Sequence, residues 1–207
     1  VLSPTELVAQ AVKSRLEVMA LTDHDTTAGL AEARKAADAA GVELINGVEI
    51  SAWLDREVHI LGYFVDPECQ TLQTSLAEFH TARQNRVVRI CEILKDYDVE
   101  MDPEVVFASA DYSVGRPHVA RALVKAGHVR TFSEAFDRFI GNGAVAYVPA
   151  ARVTVAEAIE LIHESGGIAS LAHPGVDGLT DRLSEFAALG LDAVEVDHPS
   201  HSRSTSK

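Results

Sequence analysis

The sequence predicts an α/β fold in which helices cover a parallel sheet, with a mainly helical insertion in the middle of the chain. Two observations support this prediction. Short apolar runs alternate with amphipathic segments near both ends of the chain, as they do in strand–helix units. Between them, residues 66–150 show helical patterns and almost no strand pattern. A parallel sheet is either open or closed into a barrel, and candidate ligands after several strands favour the barrel.

The first part of the sheet is predicted within residues 1–65. Ser3 and Glu6 have the spacing of a capping box and Pro4 fits the first turn, so a helix begins here. Gly41 ends the second helix, because glycine readily adopts the left-handed conformation that follows a helix. The elements after the first helix are a strand at Glu17–Thr22, a helix at Thr27–Ala40, and strands at Val42–Ile50 and Val58–Val65.

The insertion at residues 66–150 is predicted to be mainly helical. Ser75–Tyr97 forms one long amphipathic pattern, and Val114–Ala126 and Ser133–Phe139 predict two further helices. A short apolar run at Ala146–Val148 predicts a strand. The insertion therefore separates two strand-rich parts of the chain.

The second, incomplete part of the sheet is predicted within residues 151–207, where strands and helices alternate again. The elements are a helix at Val155–Ser165, a strand at Gly167–Ala172, a helix at Asp181–Leu189 and a strand at Ala193–Val196. This alternation, together with that of the first part, predicts parallel strands.

Composition limits the classes of protein to consider. The chain has 207 residues, 47% of them apolar, which is enough for one or two domains with a substantial core. The net charge of −13 argues against a broad electrostatic nucleic-acid binder. The chain has no long apolar run and no signal-peptide pattern, and Cys69 and Cys91 stand alone, so a reducing, cytoplasmic location without a membrane is expected. No pattern indicates an obligate protein partner.

Four sequence fragments each place a metal-capable side chain in or just after a predicted strand. The fragments are T-D-H-D, G-V-E-I-S, E-V-H-I-L and S-L-A-H-P-G, and the side chains are His24, Glu49, His59 and His173. Imidazole and carboxylate are ligands for Zn²⁺, Mn²⁺ and Fe²⁺. Alternatives are an outward-facing edge residue for Glu49, a core histidine for His59 and a turn residue for His173. Jointly, the four predict a multinuclear metal hydrolase.

Two further groups are candidates for substrate binding. Arg116 and His118 lie in G-R-P-H at a predicted helix start, where backbone amides and the helix dipole favour anions. An ordinary helix start with a surface arginine is the alternative. His198 and His201 follow the last predicted strand and are ligands, phosphate contacts or loop residues.

Taken in order, T-D-H-D, G-V-E-I-S, H-I-L-G-Y, G-R-P-H, A-H-P-G and H-P-S-H-S resemble the PHP (polymerase and histidinol phosphatase) superfamily. They are most similar to its TrpH and RNase AM-like branch of metal-dependent phosphoesterases. The resemblance implies a distorted (β/α)₇ TIM-like barrel, a trinuclear metal centre and a helical insertion. It implies catalytic roles for His24, Glu49 and His173. The implied metal ligands are His24, Glu49, His59 and His173, and the implied substrate contacts are Arg116, His118, His198 and His201.

The resemblance also implies an activity. The expected reaction is hydrolysis of nucleotide phosphate esters, by a nucleoside 3′,5′-bisphosphate or 5′-nucleotide (AMP) phosphatase or a 5′–3′ exonuclease acting on the 5′ end of short RNA. The expected cofactors are two or three divalent ions, Mn²⁺, Fe²⁺ or Zn²⁺, with Mg²⁺ as an alternative. The rival hypotheses are a histidinol-phosphatase-type phosphatase, a polymerase-associated nuclease module and a non-catalytic interaction module.

The sequence departs from the family pattern at both ends. The family has an H-x-H strand and an S-D-G turn before the segment that matches Val1–Pro4, and a late G-S-D-x-H element that this sequence lacks. We therefore expect the chain to be part of a longer protein, and to bind at most one or two ions weakly by itself.

Overall fold

The computed structural model describes residues 2–110, 112–149 and 153–199. The chain divides into two compact units, of which the first combines Val1–Leu76 with Arg152–Lys207 and the second is Ala77–Ala151. The division into barrel and insertion segments at residues 65 and 150 stays a prediction. No helix within the described ranges is long and apolar enough to span a membrane.

The first unit contains a five-stranded mixed sheet whose strands follow one another in chain order. The strands are β1 (Val18–Leu21), β2 (Glu43–Trp53), β3 (Glu57–Tyr63), β4 (Ile168–Leu171) and β5 (Ala193–Val194). β1 and β2 pair in parallel, as do β4 and β5, whereas β3 runs antiparallel to both of its neighbours. The prediction of a parallel sheet is therefore wrong at β3. Residues 54–56 connect β2 to β3, and so short a connection joins only antiparallel strands.

The predicted (β/α)₇ barrel is not confirmed, although the mixed α/β class is. Within the described residues, β1 and β5 form the two edges of the sheet, so the sheet is open. The helices of these residues are α1 (Pro4–Lys13), α2 (Leu30–Ala40), α3 (Gln70–Lys95), α4 (Pro103–Phe107), α5 (Arg116–Lys125), α6 (Phe132–Ala135), α7 (Val155–Glu164), α8 (Pro174–Asp177) and α9 (Leu183–Ala188).

The helix caps that the sequence predicts for α1 and α2 are present in the structure. The Ser3 hydroxyl accepts a hydrogen bond from the Glu6 amide (3.2 Å), and the Glu6 carboxylate accepts one from the Ser3 amide (2.8 Å). Gly41 follows α2 with a φ of 70°. A second capping box, between Thr154 and Glu157, begins α7. These caps satisfy amide groups that have no partner inside the helix.

The first unit has a core between α1, α2 and the β1–β2 pair. Its buried side chains are Val8, Leu21, Leu30, Ala33, Ala37, Val42 and Leu44. Removing such side chains from water stabilises the fold by roughly 25 cal/mol per Å² of apolar area. The same packing holds β1 against β2, which positions the loop after β1.

The second unit is helical and has its own core, which includes Val87, Ile90, Leu94, Leu123 and Ile140. The predicted helix at Ser133–Phe139 is found as α6 followed by a five-residue π-helix at Phe136–Ile140. The predicted strand at Ala146–Val148 is wrong. The Ala146 amide donates to the Phe139 carbonyl (2.7 Å), and the Arg86 guanidinium donates to the Val148 carbonyl (2.7 Å). These groups therefore bond within turns and to a side chain instead of to a neighbouring strand.

Candidate metal centre

The four predicted ligands lie at one end of the sheet. The carboxyl ends of β1, β2, β4 and β5 share that end, and the antiparallel β3 brings its amino end there. His24 follows β1, Glu49 lies within β2, His59 is near the start of β3, and His173 follows β4. The direction of β3 therefore explains why a residue at the start of a strand joins residues at the ends of others.

The strand register places Glu49 and His59 on the same face. Ser51 is directly opposite His59, and Glu49 is two residues from Ser51 on a strand whose side chains alternate between faces. Gly47 allows the end of β1 to approach β2 closely. A Cβ atom on Gly47 would lie 2.6 Å from Thr22 Cγ2 and 2.8 Å from the Leu21 carbonyl oxygen.

The Glu49 carboxylate is at the centre of the cluster. Its Oε2 lies 3.6 Å from His24 Nδ1, and its Oε1 lies 3.1 Å from His59 Nδ1 and 3.6 Å from His173 Nε2. His59 Nδ1 and His173 Nε2 are 3.1 Å apart. Potential ligand atoms of His24, Glu49 and His59 all lie within 4.8 Å of one another. One divalent ion could contact atoms this close together.

Burial and mutual charge perturb the pKa values in the cluster. Burial raises the pKa of Glu49, but its contacts with His173 and His59 and the charges of His24 and His59 lower it more, to well below its usual range. Burial lowers the pKa of His59, whereas Glu49 and Glu57 raise it, to about 9 overall. Burial and the charge of Glu49 raise the pKa of Asp23. The raised pKa of His59 favours a proton on that imidazole at neutral pH when no cation is bound.

Carboxylates that the sequence prediction did not assign surround these ligands. Glu57 Oε1 is 3.7 Å from His59 Nε2, and Glu195 Oε2 accepts a hydrogen bond from the His173 amide (2.8 Å). Asp25 Oδ1 accepts one from the Ser51 amide (2.8 Å). The sequence signal was available for Asp25, which is adjacent to His24, and for Glu57, which shares a strand face with His59. Glu195 also had a signal, because it is a single carboxylate within the apolar strand predicted at Ala193–Val196.

Of the residues predicted to bind substrate near the metal ligands, His198 lies beside the cluster. Its ring centroid is 5.4 Å from that of His173. His201 lies outside the described residues. The proximity of His198 to His173 is compatible with a ligand or a substrate contact.

Arg116 and His118 belong to the second unit and have defined contacts there. Arg116 donates a hydrogen bond to Asn142 Oδ1 (3.0 Å), and its guanidinium lies over the rings of Phe136 and Tyr147 (5.9 and 5.5 Å to the centroids). His118 Nδ1 accepts the Gly115 amide (3.2 Å) and so caps α5. Their role in substrate binding stays a prediction.

The structure is a mixed α/β fold that carries a cluster of histidines and a carboxylate at one end of its sheet, and this cluster could hold a metal ion. The sequence profile of the PHP domain matches residues 1–168, and the chain belongs to the PHP domain family. The family prediction is confirmed.

Similar proteins support the same assignment. The chain is 40% identical over 202 residues to a 5′-3′ exoribonuclease of Haemophilus influenzae (95% of this chain, 74% of the relative). It is 33% identical over 209 residues to a 3′,5′-nucleoside bisphosphate phosphatase of Chromobacterium violaceum (97% and 73%). A solved structure from Bifidobacterium adolescentis, assigned as a metal-dependent phosphoesterase, is 33% identical with a TM-score of 0.90 (100% and 76%). The prediction of a phosphoric ester hydrolase is confirmed.

Proposed function

We propose that the chain hydrolyses phosphate esters of nucleotides or short RNA with divalent ions held by His24, Glu49, His59 and His173. The observation that supports this proposal best is the position of Glu49, which turns one oxygen to His24 and the other to His59 and His173. A carboxylate with histidine nitrogens on both sides is well placed to contact more than one ion.

The donor set fits transition-metal ions. Imidazole nitrogen suits Zn²⁺, Fe²⁺ and Mn²⁺, whereas Mg²⁺ prefers a shell of oxygen atoms. Two or three such ions are proposed for the complete centre. A bound ion would polarise a phosphoryl oxygen and lower the pKa of water towards neutrality.

The residues of the chain have separate roles in this proposal. The His24 side chain is 44% exposed and the Glu49 side chain 15%, so His24 faces the solvent from which a substrate enters. Glu49 and His173 lie deeper and fix the ions. We assign His24, Glu49 and His173 to catalysis because they hold the ions that contact the reacting phosphate. His198 and His201 are proposed to contact the substrate beside them.

Arg116 and His118 are proposed to bind a phosphate group that is not cleaved. Arginine offers several donors in a fixed plane that matches phosphate oxygens. Both residues are at the start of α5, where the amide groups and the dipole favour an anion. This assignment rests on the local chemistry of the helix start and on the family resemblance.

The relatives support a proposal for the substrate class. We propose the 5′ end of short RNA as the main substrate, because the exoribonuclease relative is 40% identical. A nucleoside 3′,5′-bisphosphate is the second candidate, supported by the phosphatase that is 33% identical. Both substrates carry a phosphate on either side of a nucleoside, which agrees with separate sites for a cleaved and a retained phosphate. A cytoplasmic location is part of the proposal.

The first test compares Glu49→Gln with Glu43→Gln. Both residues lie on β2, but Glu43 is exposed at the other end of the strand. With Mn²⁺ present, we expect wild type and Glu43→Gln to show the same weak release of mononucleotides from 5′-phosphorylated RNA and of phosphate from adenosine 3′,5′-bisphosphate. Glu49→Gln should lose activity on both substrates because an amide is a much weaker ligand. Full activity of Glu49→Gln would contradict the proposal.

A further inference from the structure

The parallel pairing of β1 and β2 ends in an unusual hydrogen bond. Beyond β1 the register continues, since the Glu49 amide donates to the Asp23 carbonyl (3.0 Å) and the Asp25 amide to the Glu49 carbonyl (2.8 Å). The next bond of a parallel ladder would join the Ser51 amide to the Asp25 carbonyl. Instead, the side-chain Oδ1 of Asp25 accepts the Ser51 amide at 2.8 Å.

The pairing of β4 and β5 ends in the same way. The Glu195 amide donates to the Leu171 carbonyl (2.9 Å), so the next bond of the ladder would join the His173 amide to the Glu195 carbonyl. Instead, Oε2 of Glu195 accepts the His173 amide at 2.8 Å. In both strand pairs a carboxylate therefore replaces the carbonyl of its own residue.

The backbone explains why a side chain is needed at these two places. Asp25 has a φ of 51°, and His173 has φ 32° and ψ 48°, so the chain leaves the extended conformation at both residues. The left-handed region is uncommon for residues other than glycine and is tolerated best by Asn, Asp and His. Once the backbone turns, a carboxylate still reaches the amide that a strand carbonyl would have bonded.

We propose that Asp25 and Glu195, which we call the carboxylate clamps, are positioning residues for the histidines of the metal centre. Asp25 is adjacent to His24, and its bond ties that loop to β2 two residues beyond Glu49. Glu195 holds the backbone amide of His173 itself. This inference rests on the proposed function for the identity of the centre. Partners that orient metal ligands change metal affinity by roughly 10- to 100-fold when they are removed.

Asp192 offers a matched control. Its Oδ2 accepts the Ala169 amide at 2.8 Å, which is the same kind of bond at the opposite end of β4. It also contacts His163 Nε2 (2.7 Å) and none of the proposed ligands in the described structure. Loss of Asp192 should therefore affect stability without affecting the metal centre.

The first measurement uses the metal-free protein with isotope-labelled histidine. Asp25→Gly keeps the backbone conformation accessible and removes only the carboxylate, since glycine adopts positive φ without strain. We expect Asp25→Gly to shift or broaden the NMR signals of the His24 ring, and Glu195→Ala those of His173. Asp192→Ala should move only the signals of His163. Unchanged His24 and His173 signals in both clamp variants would overturn the proposal.

The second measurement is the affinity for Co²⁺, followed by its visible absorption. Asp25→Gly and Glu195→Ala should raise the Kd by about 10- to 100-fold and alter the spectrum. Asp25→Asn and Glu195→Gln retain an acceptor oxygen and should restore most of the affinity. Asp192→Ala should bind Co²⁺ with the same Kd as the wild type. If the wild type binds Co²⁺ and the clamp variants bind it equally well, the clamps do not position the centre.

The two measurements separate this inference from the proposed function. If the wild type does not bind Co²⁺, the proposed metal centre fails, whereas the NMR comparison still decides whether the clamps hold the histidines. If Co²⁺ binds and Asp192→Ala weakens it as much as the clamp variants do, the effect is general destabilisation and the proposal is wrong.

Discussion

At the scale of single residues, the site depends on one buried carboxylate among histidines. The carboxylate oxygens of Glu49 lie within 3.6 Å of nitrogen atoms of three imidazoles, which come from three other segments of the chain. A buried charge is costly unless it is paired. Without a cation, a proton on His59 provides that pairing, and a bound cation would replace the proton.

This exchange of a proton for a cation predicts that the stability of the metal-free protein depends on pH. The pKa of His59 is raised from 6.5 to about 9 in the folded state. Its contribution to the free energy of unfolding is therefore complete below pH 6.5 and is lost as the pH rises through about 9. Denaturant titrations in chelator should show this loss, and His59→Asn should remove it. A wild type whose stability is flat over this range would contradict the pairing.

The same pairing predicts proton release on metal binding. Below pH 9, a ligand at His59 must lose its proton before it binds an ion, so affinity should rise with pH up to about 9. Calorimetry in buffers of different ionisation enthalpy measures the number of protons released. Binding of Zn²⁺ at pH 7 without proton release would show that His59 is not a ligand.

At the scale of elements, the close approach of β1 and β2 positions the loop that carries His24. Gly47 permits that approach, because a Cβ atom there would lie under 3.0 Å from the Leu21 carbonyl oxygen of β1 and from the side chain of Thr22, which follows β1. Gly62 on β3 would meet only side-chain atoms, at 3.0 Å or more. The two glycines therefore differ in how easily their neighbours can move.

We expect Gly47→Ala to lower the free energy of unfolding by about 1–3 kcal/mol, and to weaken metal binding as His24 moves away from Glu49. Gly62→Ala should cost less, because flexible side chains can adjust. Urea denaturation and Co²⁺ titration of both variants measure the two effects. Equal losses in the two variants would mean that the close approach of the chain to Gly47 has no special effect on stability or on metal binding.

Much of the site was predictable from the sequence at this scale, since each ligand is close to a strand of strong apolar pattern. Strand positions were predicted within a few residues, but the direction of β3 was not, although the short turn before it indicates an antiparallel hairpin. The run at Ala146–Val148 fits a strand locally and forms none, because Phe139 and Arg86 bond its backbone. Long-range partners of this kind leave no local pattern.

At the scale of the whole molecule, the chain consists of a sheet unit with the histidine cluster and a helical unit with Arg116. The proposed substrates carry two phosphates, and Arg116 is proposed to bind the one that is retained. Arg121 on the same helix is exposed and serves as a control.

Arg116→Ala should lower kcat/KM about 10- to 100-fold for RNA and nucleoside bisphosphates, corresponding to roughly 1.5–3 kcal/mol for a lost charge-assisted hydrogen bond. It should do much less to an aryl phosphate, and Arg121→Ala should change neither. Steady-state kinetics on the three substrates measure this. Equal losses on all substrates would assign Arg116 to the reacting phosphate, and no loss would leave G-R-P-H as a helix start.

The central claim is that Glu49 and its histidines hold divalent ions, and metal content tests it most directly. In equilibrium dialysis against saturating Mn²⁺ or Zn²⁺, elemental analysis of wild type and Glu43→Gln should find one or two bound ions per chain above the concentration in the buffer. Glu49→Gln should retain far less, with an unchanged circular dichroism spectrum. Equal metal content in Glu49→Gln and wild type would contradict the account.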